Sequence, residues 1–316
     1  MDSNKLPRLE AEEEEEVAAS IVDVRPLSSF LLRHLRGSVS FELATLGMGG
    51  GESTRATELP ARSWPNQLVV MGTDEEEKNL GLDWLETRGW KVNRENSLTE
   101  ATAQWDSANT ETGQGSFLCK FWKASPVLEQ KSTWMLNQPN NNYGLPKVAI
   151  DLGCGSGRDA IFLAKTGWNV LAVDREDGFL DKLASFANRQ GVNELIKCHN
   201  VDMRPQFLQS HLAPLLAQQP YSLIHLSRFM NRPLLQFLAQ TVPVGSYIAI
   251  HHFLVGATSR NGKPFRQGSD QTLERGELSN KLFPSPEFET VWEEESSLVD
   301  GRPVVNFITQ KKIATT

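Results

Sequence analysis

Apolar runs and polar breaks alternate most regularly over residues 147–176, KVAIDLGCGSGRDAIFLAKTGWNVLAVDRE. Val148-Ala149-Ile150 is a short apolar run of the kind that forms a buried strand. Asp151 follows, then Gly153, Gly155 and Gly157 at alternate positions. Ala160, Ile161, Leu163 and Ala164 then recur at helical spacing. Gly167-Trp168-Asn169 punctuates the join, and Val170-Leu171-Ala172-Val173 is a second buried strand ended by Asp174. Beyond it the pattern predicts a helix over 180–188 and a strand over 195–201 that stops before Asp202. A helix over 207–217, a strand over 221–226, a helix over 234–240 and a strand over 246–251 follow. A polar loop over 256–268, with Arg260 and Arg266, leads to a helix beginning at 272–278. Strands at 288–294 and 302–311 close the chain around Asp300-Gly301, a strong hairpin signal.

The first third shows a smaller version of this alternation. A strand over 21–25, a helix over 28–36, a strand over 68–71, a helix over 82–88 and a strand entered at Lys91-Val92 predict a small α/β domain. Residues 96–115 are rich in Ser, Thr, Asn and Gln. The expected layout is a tail over 1–16, a first domain over 17–103, a linker over 104–116 and a second domain over 117–316. Residues 117–136 carry Phe121, Trp122, Val127, Leu128 and Trp134, and 138–144 read as a flexible connection.

The spacing of the glycines has a chemical meaning. Without a Cβ, backbone can approach a ligand closely, and the helix that follows aims its free N–H groups at the same place. A carboxylate at Asp174 can accept both hydroxyls of a ribose. The dinucleotide fingerprint G-x-G-x-x-G/A is not met, because Arg158 stands where a third small residue is needed. D-x-G-x-G-x-G closely resembles the first motif of class I S-adenosylmethionine (SAM) methyltransferases. A glycine turn in an unrelated α/β fold is the plain alternative.

The resemblance implies a Rossmann-like class I methyltransferase domain whose cofactor is SAM. It implies that Gly153, Cys154, Gly155 and Gly157 hold the methionine end, that Asp174 with Arg175 meets the ribose, and that Asp151 orders the loop or reaches the amino group through water. It also implies that Asp202 faces the adenine amine, with Val201 or Met203 packing on the ring. As plain structure, Asp202 would cap the next helix. Residues 117–136 would lid the cofactor pocket as an N-terminal helix does in many such enzymes, or their aromatics would only pack.

Acceptor chemistry is expected beyond the carboxyl end of the 221–226 strand, at Ser227-Arg228-Phe229-Met230-Asn231-Arg232. The D/N-P-P-Y/F motif of amino-methylating enzymes is absent there; Asn231-Arg232-Pro233-Leu234 only echoes it. His251 and His252 are the candidate general bases and Arg228 the candidate anchor of an anionic acceptor. Each has a bland counterpart, a structural hydrogen bond or a solvated arginine. The segment GKPFRQGSDQTLERGELSNKLFP and the hairpin after it look like the end of the tellurite-resistance and thiopurine type of small-molecule methyltransferases. A protein or RNA acceptor is the runner-up.

The first domain carries a second resemblance. Asp23-Val24-Arg25, then His34-Leu35-Arg36-Gly37-Ser38, then VVMGTDEEEKNLGLDWLETRGW resemble a rhodanese domain. In that family a catalytic cysteine follows the strand; here Gly72 takes its place. The loop Thr73-Asp74-Glu75-Glu76-Glu77 would repel a thiolate, and no cysteine occurs before Cys119. A catalytically dead rhodanese-like domain is implied, kept for structure, interaction with a protein partner or regulation. Asp23, Arg25 and His34 match scaffold positions as an ion pair and a loop-anchoring histidine. A sulfurtransferase and a two-domain scaffold are the competing functions.

Composition and charge narrow the partners. Through Ser125 there are 13 Lys/Arg against 21 Asp/Glu, net −8; from Pro126 onward 19 against 18, net +1. Neither half has the basic balance of a nucleic-acid binder. No apolar run approaches the roughly 20 residues of a membrane span. The start is acidic and unlike a signal peptide. Three cysteines (Cys119, Cys154, Cys198) make no disulfide framework and no CxxC. The expectation is a cytoplasmic, reduced protein with no metal and a small-molecule acceptor.

Overall fold

A computed structural model describes residues 21–43, 58–59, 67–107, 110–112, 122–137, 145–259, 262–266, 268–269, 271–298 and 300–313. The expected acidic tail over 1–16, the connection over 138–144 and Arg260 lie outside these residues. The chain divides into two compact units, Met1–Trp122 and Lys123–Thr316.

The first unit contains β1 (Ile21–Asp23), α1 (Leu27–Leu32), β2 (His34–Leu35), β3 (Ser38–Ser40), β4 (Val69–Gly72), α2 (Glu75–Thr87), β5 (Leu98–Thr99) and β6 (Thr110–Glu111). A parallel sheet of order β3-β1-β4-β5 forms its centre, and β2 pairs antiparallel with β6. The helix expected over 28–36 stops at Leu32. Arg33 is extended (φ −163°) and the chain turns at Gly37 (φ 79°), which makes room for β2. The expected 91–92 strand is a single bridge, Leu68 to Val92. β6 lies within the linker expected over 104–116 and belongs to the first unit, because Thr110-Glu111 pairs with His34-Leu35 of β2.

Asp74 caps α2 by accepting the Glu77 N–H at 2.9 Å, with Glu75 to Glu77 in the first turn where the helix dipole favours acids. At the carboxyl end of β1 the Arg25 guanidinium grips Asp23 (2.7 Å) with both side chains fully buried. Its Nη2 also donates to the Arg33 carbonyl at 2.8 Å. The His34 ring stacks on Phe30 at 4.0 Å, and its Nδ1–H donates to the Phe30 carbonyl at 3.0 Å.

The second unit contains α3 (Pro126–Leu136), β7 (Val148–Leu152), α4 (Arg158–Lys165), β8 (Asn169–Asp174), α5 (Asp177–Arg189), β9 (Ile196–Asn200), α6 (Ala213–Leu216), β10 (Leu223–Ser227), α7 (Arg232–Thr241), β11 (Tyr247–Phe253), β12 (Phe288–Ser297) and β13 (Pro303–Lys311). α3 opens with proline at its first position, where a missing N–H costs nothing. The helix expected over 207–217 is broken into a 3-10 turn (Pro205–Phe207), a π turn (Leu208–Leu212) and α6. The helix expected to begin over 272–278 is a π turn, Leu278–Leu282.

The seven strands run in the order β12-β13-β11-β10-β7-β8-β9, all parallel except β13, which is antiparallel to both neighbours. Strand parity sorts the side chains. Ile150, Leu152, Leu171, Val173, Ile224, Leu226, Ile248, Ile250 and Phe307 join Leu234, Leu235 and Leu238 of α7 in one core. The residues between them face α3, α4 and α5, which pack against the other side. Strand order reverses between β7 and β10, so the crevice beyond their carboxyl ends is where a ligand of this fold type binds.

Candidate functional site

The loop between β7 and α4 is held down before any ligand arrives. The Gly153 and Cys154 N–H groups donate to the Val173 carbonyl at 2.8 and 3.0 Å. Gly157 (φ 87°) is the N-cap of α4, and a Cβ there would fall 2.4 Å from Cγ of Leu183. Gly155 (φ 52°) is different: a Cβ there would meet nothing within 4 Å. Gly157 is needed for packing, whereas Gly155 faces open space that a ligand can fill. A Cβ on Gly153 would strike Cγ of Phe229 at 2.3 Å, so that side chain packs directly against the loop. Gly157→Ala combines left-handed strain of about 1–2 kcal/mol with overpacking of about 1–3 kcal/mol. A urea titration is expected to show at least roughly 2 kcal/mol lost, whereas Gly155→Ala costs only its strain.

Asp174 ties the loop to β8. Its Oδ2 accepts the Gly155 N–H at 2.9 Å and its Oδ1 accepts the Glu176 N–H at 3.1 Å, which fixes both oxygens at the rim of the crevice. Arg175 is exposed and paired with Glu176 at 3.0 Å. Asp202 is engaged by Arg204, which donates its backbone N–H at 2.9 Å and its guanidinium at 2.5 Å. That side-chain hydrogen bond holds the Asp202 carboxyl below the usual range. Met203 is buried, and its carbonyl accepts from Nδ2 of Asn231 at 3.0 Å, joining the end of β9 to the start of α7. The Cys154 thiol is half-buried; burial, then the charges of Asp151 and Asp174, push it up, so it stays protonated.

Under the loop lies a row of polar groups on the α3/α4 face of the sheet. Asp151 of β7 is in register with His225 of β10. Next along, Ser227 is in register with His251 of β11, and His251 with Asn306 of β13. Nε2 of His225 lies 3.1 Å from Oδ2 of Asp159 on α4, and Oδ1 of Asp159 accepts the Ser125 N–H at 2.6 Å. Burial alone would lower the His225 pKa; the Asp159 hydrogen bond and charge outweigh it and raise the value. Burial pushes Asp151 up to about 7 against the pull of His225. Its Oδ2 and Nδ1 of His225 have no hydrogen-bond partner. The sequence pattern pointed to neither His225 nor Asp159. The available signal was a histidine inside an otherwise apolar central strand.

The two candidate bases are separated by strand parity. His251 lies in the polar row, and its Nδ1–H donates to Oδ1 of Asn306 at 2.8 Å, an amide oriented by its own bond to Ser296 at 3.4 Å. Burial, with Arg228 adding to it, lowers the His251 pKa to about 4. His252 faces the opposite side of the sheet and packs edge-on against Phe253, so the two do not act on one acceptor. Arg228 is exposed at the end of β10 and has φ 51°, the one left-handed non-glycine residue among those described. Its N–H donates to the His251 carbonyl at 2.7 Å. Such strained positions gather at functional sites. Arg232, by contrast, is a clamp: it grips Glu277 at 2.5 Å and donates to the carbonyls of Ser269 (2.8 Å) and Thr272 (3.0 Å).

Residues 143–283 match the model of a family described as tellurite resistance protein TehB. This span holds β7 to β11, the glycine loop and Asp151, Asp159, His225 and His251 of the polar row. The second unit is similar to that family over somewhat less than half of the chain. An uncharacterized protein of Schizosaccharomyces pombe is 25% identical over 332 residues, covering 92% of this chain and 93% of its own. The crystal structure of TehB from Haemophilus influenzae is 19% identical, covers 53% of this chain and 58% of its own, and superposes with a TM-score of 0.40. Magnesium protoporphyrin IX methyltransferase from Synechocystis, solved with bound SAM, is 13% identical, covers 59% and 78%, and has a TM-score of 0.41.

The residues of the second unit fit SAM as a cofactor. Gly155 leaves space above the loop, Asp174 presents a fixed carboxylate to a pair of hydroxyls, and the orphaned Oδ2 of Asp151 is a buried acceptor without a donor. No helix among the described residues is long and apolar enough to cross a membrane.

Proposed function

We propose that the second unit transfers the methyl group of SAM to a small acceptor that already carries its lone pair: a thiolate, a chalcogen oxyanion or another small anion. The observation that carries this reading is the state of the histidines at the active edge. A general base works best with a pKa near the working pH. His251 is held down to about 4 and His252 is on the other face of the sheet. An acceptor that must lose a proton to a protein group is poorly served here. The cofactor supplies an electrophilic methyl on a sulfonium with a good leaving group. Asp174 and the glycine loop hold position, Phe229 walls the loop, and Arg228 offers a guanidinium to an anionic acceptor. Water exclusion and alignment supply the rest.

The first unit is proposed to be rhodanese-like and without sulfur-transfer chemistry, serving as a surface for a protein partner. A Cβ at Gly72 would meet the Lys78 backbone nitrogen at 2.5 Å, so that position has no room for a thiol side chain. The Glu77 carboxylate accepts the Thr73 N–H at 2.6 Å, filling with the chain's own anion the loop that would otherwise cradle one.

The test is methyl transfer from labelled SAM by the full chain. Thiols, chalcogen oxyanions and small carboxylates form one set of acceptors, and an RNA pool with a protein extract forms the other. Label is expected in the small anionic set. Label confined to RNA or protein would contradict the proposal in favour of a macromolecular acceptor.

A further inference from the structure

A buried carboxylate, a half-buried carboxylate and a buried imidazole lie together where the glycine loop joins β7 and α4. Asp151, His225 and Asp159 come from three elements, β7, β10 and α4. Asp159 has its oxygens occupied, one by the Ser125 N–H and one by the imidazole. Asp151 is 2% exposed and its Oδ2 has no donor. A buried carboxylate with an unused oxygen is costly unless something positive meets it. The loop above it holds the methionine end of the cofactor in the reading given above, and that end carries an ammonium.

We propose that His225 is a positioning residue for cofactor binding: held as the imidazolium by Asp159, it keeps its strand neighbour Asp151 ionised, so that the orphaned oxygen receives the cofactor's ammonium. The proposal rests on the methyltransferase reading and adds a pH dependence to it. The groups that face this cluster are few. Asp174 on β8 and the Asp159 charge oppose ionisation of Asp151, while His225 and the Ala160 N–H favour it. Arg228 and the Ser125 N–H hold Asp159 ionised. The Ala249 carbonyl of β11 and the Ser125 hydroxyl lie beside His225. His251 is neutral across the working range and adds no charge.

The sign follows directly. Asp151 gives up its proton as pH rises, and only the anion attracts an ammonium. Affinity for the cofactor product therefore rises with pH. Removing His225 removes the positive neighbour, so Asp151 holds its proton to a higher pH.

The experiment is calorimetric titration of the full chain with S-adenosylhomocysteine between about pH 6 and pH 8, a range that brackets histidine and shifted carboxylate titration. In the unaltered chain affinity is expected to rise through this range. In His225→Gln the rise is expected about one unit higher, which makes binding roughly tenfold weaker at the acid end, about fivefold weaker near neutrality and about twofold weaker at the alkaline end. Asp151→Asn is expected to flatten the profile. Imidazole resonances give a readout without ligand: His225 stays protonated near neutrality in the unaltered chain and becomes neutral in Asp159→Asn. A His225→Gln profile weakened by the same factor at every pH would reduce His225 to a packing role and overturn the proposal, as would pH-independent binding by the unaltered chain. No binding at any pH would overturn this proposal and the methyltransferase reading together.

Discussion

Asp174→Ala is expected to weaken S-adenosylhomocysteine binding by roughly a hundredfold or more. The carboxylate meets the ligand and also organises the loop, since Gly155 and Glu176 both donate to it. Hydrogen bonds to a charged group contribute about 1.5–3 kcal/mol each. Losing two such bonds to a ribose removes at least about 3 kcal/mol, or about two orders of magnitude in affinity. Asp174→Asn keeps one acceptor oxygen and is expected to lose roughly tenfold. Calorimetry on the full chain reads both, with a thermal melt to show that the fold persists. Affinity within about twofold of the unaltered chain in Asp174→Ala would place the ribose elsewhere.

Arg25→Ala is expected to have the largest effect on stability. Arg25 and Asp23 are fully buried in the first unit, and the guanidinium also holds the Arg33 carbonyl and lies over the Trp105 ring at 5.2 Å. Burial already keeps the Asp23 carboxyl above the ordinary range, against the pull of Arg25. Removing the partner strands that carboxyl, and breaking a buried pair typically costs about 3–5 kcal/mol. Urea unfolding followed by tryptophan emission is expected to show the first unit, with its stacked Trp84 and Trp90, melting well before the second. The paired change Asp23→Leu with Arg25→Met is expected to recover most of the loss, because the cost lies in the unpaired charge and not in the missing contact. A loss under about 1 kcal/mol in Arg25→Ala would show that water reaches the pair.

The parts of the molecule that were legible in the chain are those written in local pattern. The glycine spacing at 153, 155 and 157, the strand runs beside it and the hairpin around Asp300-Gly301 all appear in place. The buried Asp23–Arg25 pair also follows from two residues two apart on one strand end. What local pattern could not supply is register between distant strands. His225 becomes important because β10 pairs with β7 at Asp151, and because α4 brings Asp159 to 3.1 Å. His251 and His252 are parted by the strand itself. Each stood as a candidate base at the same strand end, and a strand sends neighbours to opposite faces. The stretch 207–217 lost its continuous helix to a π turn that seats Leu208 and Leu212 in the core. Pro214 has no N–H to give to the preceding turn, so α6 starts afresh around it.

The central claim is that the crevice above Gly155 and beside Asp174 binds SAM and its product. One titration tests it most directly: S-adenosylhomocysteine into the full, unaltered chain near neutral pH. The account predicts one-site binding with a dissociation constant on the order of micromolar, about −8 kcal/mol. Failure to bind at ligand concentrations near about 1 mM, where even a −4 kcal/mol site half-fills, would contradict it and leave the glycine loop as a turn that holds two strands and a helix together.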